Sequence, residues 1–379
     1  MRIGVIGYGA RVRGVINNEL KKLDPQLQIA GLVDIQPAKH ELARQDGSCN
    51  VRVFDTVEAM LEEEELDGIM IGTRCSLHTP MALKVLSSDL PVFLEKPVAT
   101  SMEDALQLKK GYEEAGNRRV VVSFPLRVTS IVQLAKEIID SGKIGTVEHV
   151  QAVNNVPYGN VYFQGWYRDE EETGGLFLQK ATHDFDYINY VLGTKPETVA
   201  AMVSKQIFKG TKPAGLRCAE CDENRTCPES TAFRTDSLKD DWAYCCFASD
   251  TGNEDSGSAL IRYENGMHVS YSQNFFARNK AAARGARFLG YKGTLEFDFY
   301  TGAIKVYMHH SPRVETYEFT NEKGHFGGDT ELSRCFLGLM DGSIKESVSP
   351  LEDGLLSALL CLKARQSSVT GTFQPIAWE

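Results

Sequence analysis

The sequence predicts an α/β chain of two domains. Residues 1–125 read as a doubly wound parallel sheet, and residues 126–379 as an α+β domain built on an open, mainly antiparallel sheet. Three observations lead there. Short runs that are apolar along their whole length alternate with amphipathic helical patterns through the first third, as a parallel sheet covered on both faces requires. From about residue 130 the pattern changes to longer alternating stretches punctuated by turn signals, the mark of consecutive hairpins. A Gly-x-Gly turn directly follows the first apolar run.

In order, strands are expected at 3–6, 29–33, 68–71, 92–94 and 120–122, separated by helices at 13–23, 37–44, 56–63, 80–86 and 101–115. A helix at 131–140 then leads through Ser141-Gly142-Lys143-Ile144-Gly145 into a strand at 146–155, and a second helix is expected at 181–192. Further strands are read at 198–207, 242–247, 258–263, 267–275, 293–299 and 304–308. Glu264-Asn265-Gly266 makes a hairpin turn, because Asn-Gly accepts positive φ cheaply. Helices at 329–340 and 351–365 close the chain, while 209–239, rich in turn formers, charge and cysteine, reads as a long loop excursion.

Composition narrows the function. With 42% hydrophobic residues among 379, the chain has apolar mass for two cores. A formal net charge of −10 argues against nucleic acid or an anionic membrane as the main partner. No basic, apolar and small-residue segments follow one another as an export signal needs, and no window approaches the roughly 18 apolar residues of a membrane span. The expectation is a soluble, cytoplasmic protein acting on a small molecule. Nine cysteines, an odd number, suit reduced thiols better than a disulfide framework.

The first expected strand runs into Gly7-Tyr8-Gly9-Ala10-Arg11-Val12-Arg13-Gly14. Gly7 permits a tight turn, Gly9 a close approach of backbone to a pyrophosphate, and the helix opening at Ala10 and Arg11 offers amide donors and a favourable dipole. Val12 stands where the third glycine of G-x-G-x-x-G would be. Asp34, ending the second strand, is placed to accept hydrogen bonds from ribose hydroxyls and to repel a 2′-phosphate, which favours NAD over NADP. Arg11 and Arg13 are the groups able to turn toward a phosphate instead. Another strand ends in Glu95-Lys96-Pro97, and ligands of such sheets sit beyond the carboxyl ends of strands. Oxidising an alcohol requires a proton to leave oxygen as hydride leaves carbon; partial burial and a neighbouring cationic ring shift a lysine into a useful range for that task.

Gly7-x-Gly9, Asp34, Thr73 with His78, and Glu95-Lys96-Pro97 follow in order, and are continued by Gly142-Lys143-Ile144-Gly145, Gly174-Gly175-Leu176 and His183-Asp184-Phe185-Asp186. Together they resemble the glucose–fructose oxidoreductase / inositol dehydrogenase (Gfo/Idh/MocA) family. The resemblance implies an N-terminal Rossmann domain and a C-terminal domain whose open sheet pairs copies into homodimers or homotetramers, with a sugar, cyclitol or polyol bound in the cleft between domains. It implies cofactor contacts from Thr73, His78, Glu95 and Lys96, and makes Lys96 and His183 the proton-transfer pair with Asp186 in support. His183 and Asp186, three apart, share one helix face, where a carboxylate orients an imidazole.

One departure stands out. Where many dehydrogenases of the family carry an Asp four residues before the catalytic His, this chain has Gln179, followed by Lys180. Gln179 can hydrogen-bond a hydroxyl but cannot act as a base, and Lys180 can anchor a carboxylate or polarise a carbonyl. Arg127, Trp166, Arg168 and His325 are further candidates to line a sugar site. Cys218, Cys221 and Cys227, with Cys245-Cys246 downstream, carry the thiols for a structural zinc that would staple the excursion. Two competing readings remain. One is a glycosidase or lyase that keeps NAD bound and oxidises its sugar transiently; the other is a sensor that binds NAD and sugar without chemistry. Net NADH formation separates the first of these from a dehydrogenase.

Overall fold

The computed structural model describes residues 1–379 except 47–49, 117, 236–241, 321–322 and 379. Cys49 and the end of the expected excursion, 236–239, lie outside the described residues. The chain forms two compact units: residues 1–133 with 321–359 and 378, and residues 134–320 with 360–377.

The first unit holds a six-stranded sheet ordered β3-β2-β1-β4-β5-β6, with β1 (Arg2–Ile6), β2 (Gln28–Val33), β3 (Arg52–Val53), β4 (Gly68–Ile71), β5 (Val92–Leu94) and β6 (Val120–Val122). Every pairing is parallel. β1, β4, β5 and β6 are apolar and buried nearly throughout, which is why they were legible as uninterrupted apolar runs. The order of strands reverses beside β1, and such a switch point opens a crevice at the carboxyl ends of β1 and β4. Only two-residue β3 escaped the sequence pattern.

The compact units are not contiguous along the chain. The Gly328–Asp341 helix, assigned from sequence to the second domain, belongs to the first unit. Leu332, Cys335, Phe336 and Leu339 on this helix share one core with Ile3, Val15, Leu32 and Phe93. Phe336 meets Phe93 edge-on at 5.7 Å. Residues 351–359, the start of the Leu351–Thr370 helix, also belong here: Tyr112 donates to Glu352 at 2.7 Å and Arg127 pairs with Asp353 at 2.7 Å.

The second unit is built on nine strands ordered β14-β13-β12-β11-β7-β10-β9-β8-β15. They are β7 (Val147–Asn155), β8 (Pro196–Ser204), β9 (Ser256–Tyr263), β10 (His268–Asn274), β11 (Ala283–Gly290), β12 (Gly293–Asp298), β13 (Ala303–Met308), β14 (Val314–Glu318) and β15 (Gln374–Pro375). All pairings are antiparallel except β7 with β10. Alternate residues are buried on one face, as with Ala259, Ile261 and Tyr263 of β9. The other face is open: Met202 is 79% and Leu260 54% exposed, and with Ser258, Ser270 and Ser272 they line a hollow of about 1140 Å³.

Three expectations change. The helix expected at 181–192 begins at Leu176, because Gly174 and Gly175 turn the chain at φ +70° and +91° and the Glu254 carboxylate accepts from the Phe177 amide. Residues 242–247 form no strand; Tyr244 makes only an isolated bridge to Arg217, and the Arg168 and Arg217 guanidinium groups lie 4.7 and 5.3 Å from its ring centre. Among the described residues, no group of three or more His, Cys, Asp or Glu side chains is placed to hold a metal, so the zinc at Cys218, Cys221 and Cys227 finds no support. The residues on either side of the excursion build a small core instead. Phe208 and Cys246 pack with Val156, Phe163, Leu176 and Phe275, and the Phe163 and Phe208 rings lie 4.2 Å apart. No helix of the described residues is long and apolar enough to cross a membrane.

Candidate active site

In the first unit the loop after β1 is shaped for a dinucleotide. Gly7 sits at φ +82°, and a Cβ there would lie 2.7 Å from the Thr73 amide nitrogen, so only glycine fits. Gly9 caps the helix that opens at Ala10 without a side-chain hydrogen bond, which leaves the first-turn amides of Ala10 and Arg11 without intrahelical acceptors. The chain stays helical to Leu23, through a π-helical stretch at Ile16–Leu20. The missing third glycine has a replacement. A Cβ on Gly72, at the end of β4, would come 2.0 Å from Val12 Cγ2, so the close approach of helix to sheet is gained on the strand side.

Asp34 is held in place by its backbone surroundings: its carboxylate accepts from the amides of Tyr8 at 2.8 Å and Gln36 at 2.9 Å. Arg13, by contrast, is committed. Its guanidinium grips Asp46 at 2.6 and 2.8 Å and, with the Tyr8 hydroxyl, holds that carboxyl down at about 2. These features together fit a dinucleotide: a left-handed glycine under the backbone, an uncapped helix N-terminus and an acid with capacity for ribose hydroxyls.

The other candidates of the first unit gather after β5. Lys96 is half-buried one residue beyond Glu95, and the following Pro97 carbonyl lies 2.7 Å from His78 Nδ1. Burial pushes the His78 imidazole below its ordinary value, favouring its neutral form. Thr73 turns its hydroxyl to the Arg74 carbonyl at 3.2 Å. Glu95 faces Arg11, whose guanidinium lies 3.1 Å from Glu95, 2.5 and 2.8 Å from the two oxygens of Asp329, and 3.1 Å from Ser123. Burial works to raise the Asp329 carboxyl, but Arg11 and His325 hold it below the ordinary carboxylate range. His325, at φ +47°, contacts Asp329 at 2.9 Å. The side chain of Arg11 is thus held by carboxylates, leaving its amide as the group able to meet a cofactor.

In the second unit the Leu176–Leu192 helix carries the other candidates. His183 is buried and Asp186 fully so, one turn apart. Gln179 donates to the Thr173 carbonyl at 2.8 Å, a bond that fixes the turn before the helix. Lys180 points into an aromatic array: its Nζ donates to the Tyr158 hydroxyl at 3.1 Å and lies 4.9 Å from the ring centres of both Tyr158 and Tyr162. Tyr162 meets Tyr167 edge-on at 5.1 Å, and Tyr167 stacks on Trp166 at 3.9 Å. The Lys180 cation draws the Tyr158 hydroxyl below its ordinary value against the opposing effect of burial.

Lys180 and Trp166 therefore belong to one array, whereas two other sugar-binding candidates are engaged elsewhere. Arg127 is buried against Asp353, and Arg168 is bonded to Asp250. Sequence reasoning missed Tyr158 and Tyr162, for which a four-residue aromatic spacing is the only signal. It also missed Arg284 as the partner of Asp184, at 2.8 Å.

A doubly wound domain with a dinucleotide loop, followed by a one-sided sheet and a helix carrying buried His, Asp and Lys, defines the class of a nucleotide-dependent oxidoreductase. Comparison with known proteins agrees. The family model for the oxidoreductase family with NAD-binding Rossmann fold matches residues 1–124, and that for the GFO/IDH/MocA C-terminal domain matches residues 132–296. This chain belongs to the Gfo/Idh/MocA oxidoreductase family. It is 27% identical over 368 residues to a Bacillus subtilis protein named as the oxidoreductase YteT, covering 84% of each chain. To an inositol 2-dehydrogenase of Rhizobium meliloti it is 25% identical over 217 residues, 57% of this chain and 62% of that protein. A levoglucosan dehydrogenase solved with NADH and levoglucosan shares the fold at TM-score 0.76 and 17% identity, over 99% of both chains.

Proposed function

We propose that this protein is an NAD-dependent dehydrogenase that oxidises a hydroxyl group of a sugar, cyclitol or related polyol. The observation that carries the reading is the loop after β1, where Gly7 has no room for a side chain and Asp34 is held in place by two backbone amides. Gly7, Gly9 and the amides of Ala10 and Arg11 would hold the pyrophosphate, Asp34 the adenosine ribose, and Thr73 the turn beside them. A carboxylate at Asp34 opposes a 2′-phosphate, which selects NAD. When bound, the nicotinamide supplies the hydride acceptor.

Lys96 from the first unit and His183 from the second take up the hydroxyl proton in oxidation and return it in reduction, with Asp186 orienting the imidazole of His183. Inositol and levoglucosan, substrates in the names of relatives, support a polyol rather than an aliphatic alcohol. We expect the open face of the nine-stranded sheet to join copies of the chain into a homodimer or homotetramer; a solution mass of one chain would contradict that.

The test is a panel of cyclitols, aldoses, sugar acids and glycosides with NAD⁺, followed for NADH and for released aglycone. NADH accumulating in proportion to substrate supports the dehydrogenase. Aglycone released without NADH would replace it with redox-neutral cleavage, and dinucleotide binding with neither product would leave a sensor.

A further inference from the structure

Among the described residues, Lys180 is a buried cation without a counter-charge. Its residue is 7% exposed, yet it forms no ion pair among the described residues. An ammonium has three N–H donors; here one reaches the Tyr158 hydroxyl, and two tyrosine rings supply the remaining contacts. Ring faces attract a cation, but by less than a carboxylate does in a partly dry site. The acid four residues along the same helix cannot serve. Asp184 accepts from Arg284 at 2.8 Å on one oxygen and from Asn154 and Tyr271 at 2.7 and 2.8 Å on the other.

Arg284 adds an independent sign. Its Nη2 is buried with no hydrogen-bond partner among the described residues, and its charge acts on Tyr158 as that of Lys180 does. Lys180 is thus bonded to Tyr158, and Arg284, though paired with Asp184, keeps a buried donor to spare. A buried charge left unmatched is costly to the fold, and such a cost persists where a ligand completes the set. Lys180 also precedes His183 by three residues, so both project from one face of the helix. Tyr158, 44% exposed, is the member of the group open to solvent.

We infer that Lys180 anchors a carboxylate of the substrate, so that this chain takes an acidic sugar, a uronic acid or related sugar acid, in preference to its neutral counterpart. The inference rests on the proposed dehydrogenase reading for its setting, and deepens it by naming the substrate class. Tyr158 and Tyr162 would flank the carboxylate, and the Trp166–Tyr167 stack extends the apolar floor on which a sugar ring lies.

The test compares D-galacturonate and D-glucuronate with D-galactose and D-glucose, each titrated calorimetrically into the NAD-loaded protein and assayed for NADH. Wild type, Lys180→Met and Lys180→Arg are run in parallel, with melting curves to confirm folding. The expected result is at least about tenfold tighter binding of an acid than of its neutral partner, the range of a hydrogen bond to a charged group. Lys180→Met should abolish that preference and Lys180→Arg retain part of it. Equal or better binding of the neutral sugars, no binding of either acid at millimolar concentration, or an acid preference unchanged in Lys180→Met would overturn the inference. Should Lys180→Met fail to fold, the wild-type ratio and Lys180→Arg still decide. Lys180-dependent acid binding without NADH would sink the dehydrogenase reading alone, whereas NADH formed equally from neutral and acidic sugars would sink the inference alone.

Discussion

Each unit of this protein holds a basic side chain beside the residues expected to do chemistry, and the two are treated differently. In the first unit Arg11 meets both oxygens of Asp329 and one of Glu95, with His325 and Ser123 completing its surroundings. In the second, Lys180 has two tyrosine rings and the hydroxyl of one of them. A cation whose carboxylates are supplied by the fold holds segments together; here it ties residues 325–329 to the dinucleotide loop. A cation left for aromatic faces to accommodate is available to a ligand. The first is architecture, and the second is specificity.

The largest effects are expected at the two residues proposed to move the proton. Lys96→Ala and His183→Ala should each lower kcat/KM by about 10²–10⁴-fold, the usual contribution of a positioned acid or base. NADH binding, followed by fluorescence, should stay near wild type in His183→Ala. A next step removes a carboxylate from the second unit. Asp184→Ala would leave Arg284 buried without its partner and should cost about 3–5 kcal/mol of unfolding free energy, measured in urea.

The matching change in the first unit is milder. Asp329→Ala leaves Arg11, about one-third exposed, still paired with Glu95, and should cost about 2 kcal/mol. Because the folded chain holds Asp329 below its ordinary range, its contribution is complete above the unfolded value of about 3.9 and is lost as the pH falls through the lower folded value. Unfolding free energies of wild type and Asp329→Ala should therefore converge in acid. Curves that stay parallel would remove Asp329 from the account.

What the sequence disclosed follows the same division. The dinucleotide loop was legible because its signals are local: a glycine pair after a strand, and an acid ending the next strand of the fold. The compensation of Val12 by Gly72 was not, since it is a contact between residues far apart in the chain. β11 was hidden because Arg284 occupies a buried position and breaks the apolar alternation by which strands are read. β14 was hidden because an edge strand with no buried residue leaves no alternation to find. The run at 242–247 misled in the opposite sense: its aromatic and cysteine residues have strand composition but serve as platforms for arginines and as a small core. Lys180 was visible as a departure from the family pattern, but its missing counter-charge could be seen only with every neighbour in place.

The most direct test sets the two cations against each other. Lys180→Met and Arg11→Met are unfolded in urea beside the wild type, with the midpoint and slope of each transition recorded. Arg11→Met should lower the midpoint clearly, because it removes the guanidinium shared by Asp329 and Glu95, while Lys180→Met should leave the midpoint unchanged or raise it, as removal of an unmatched buried charge does. A loss of stability in Lys180→Met as large as that in Arg11→Met would make Lys180 a structural residue and contradict the account.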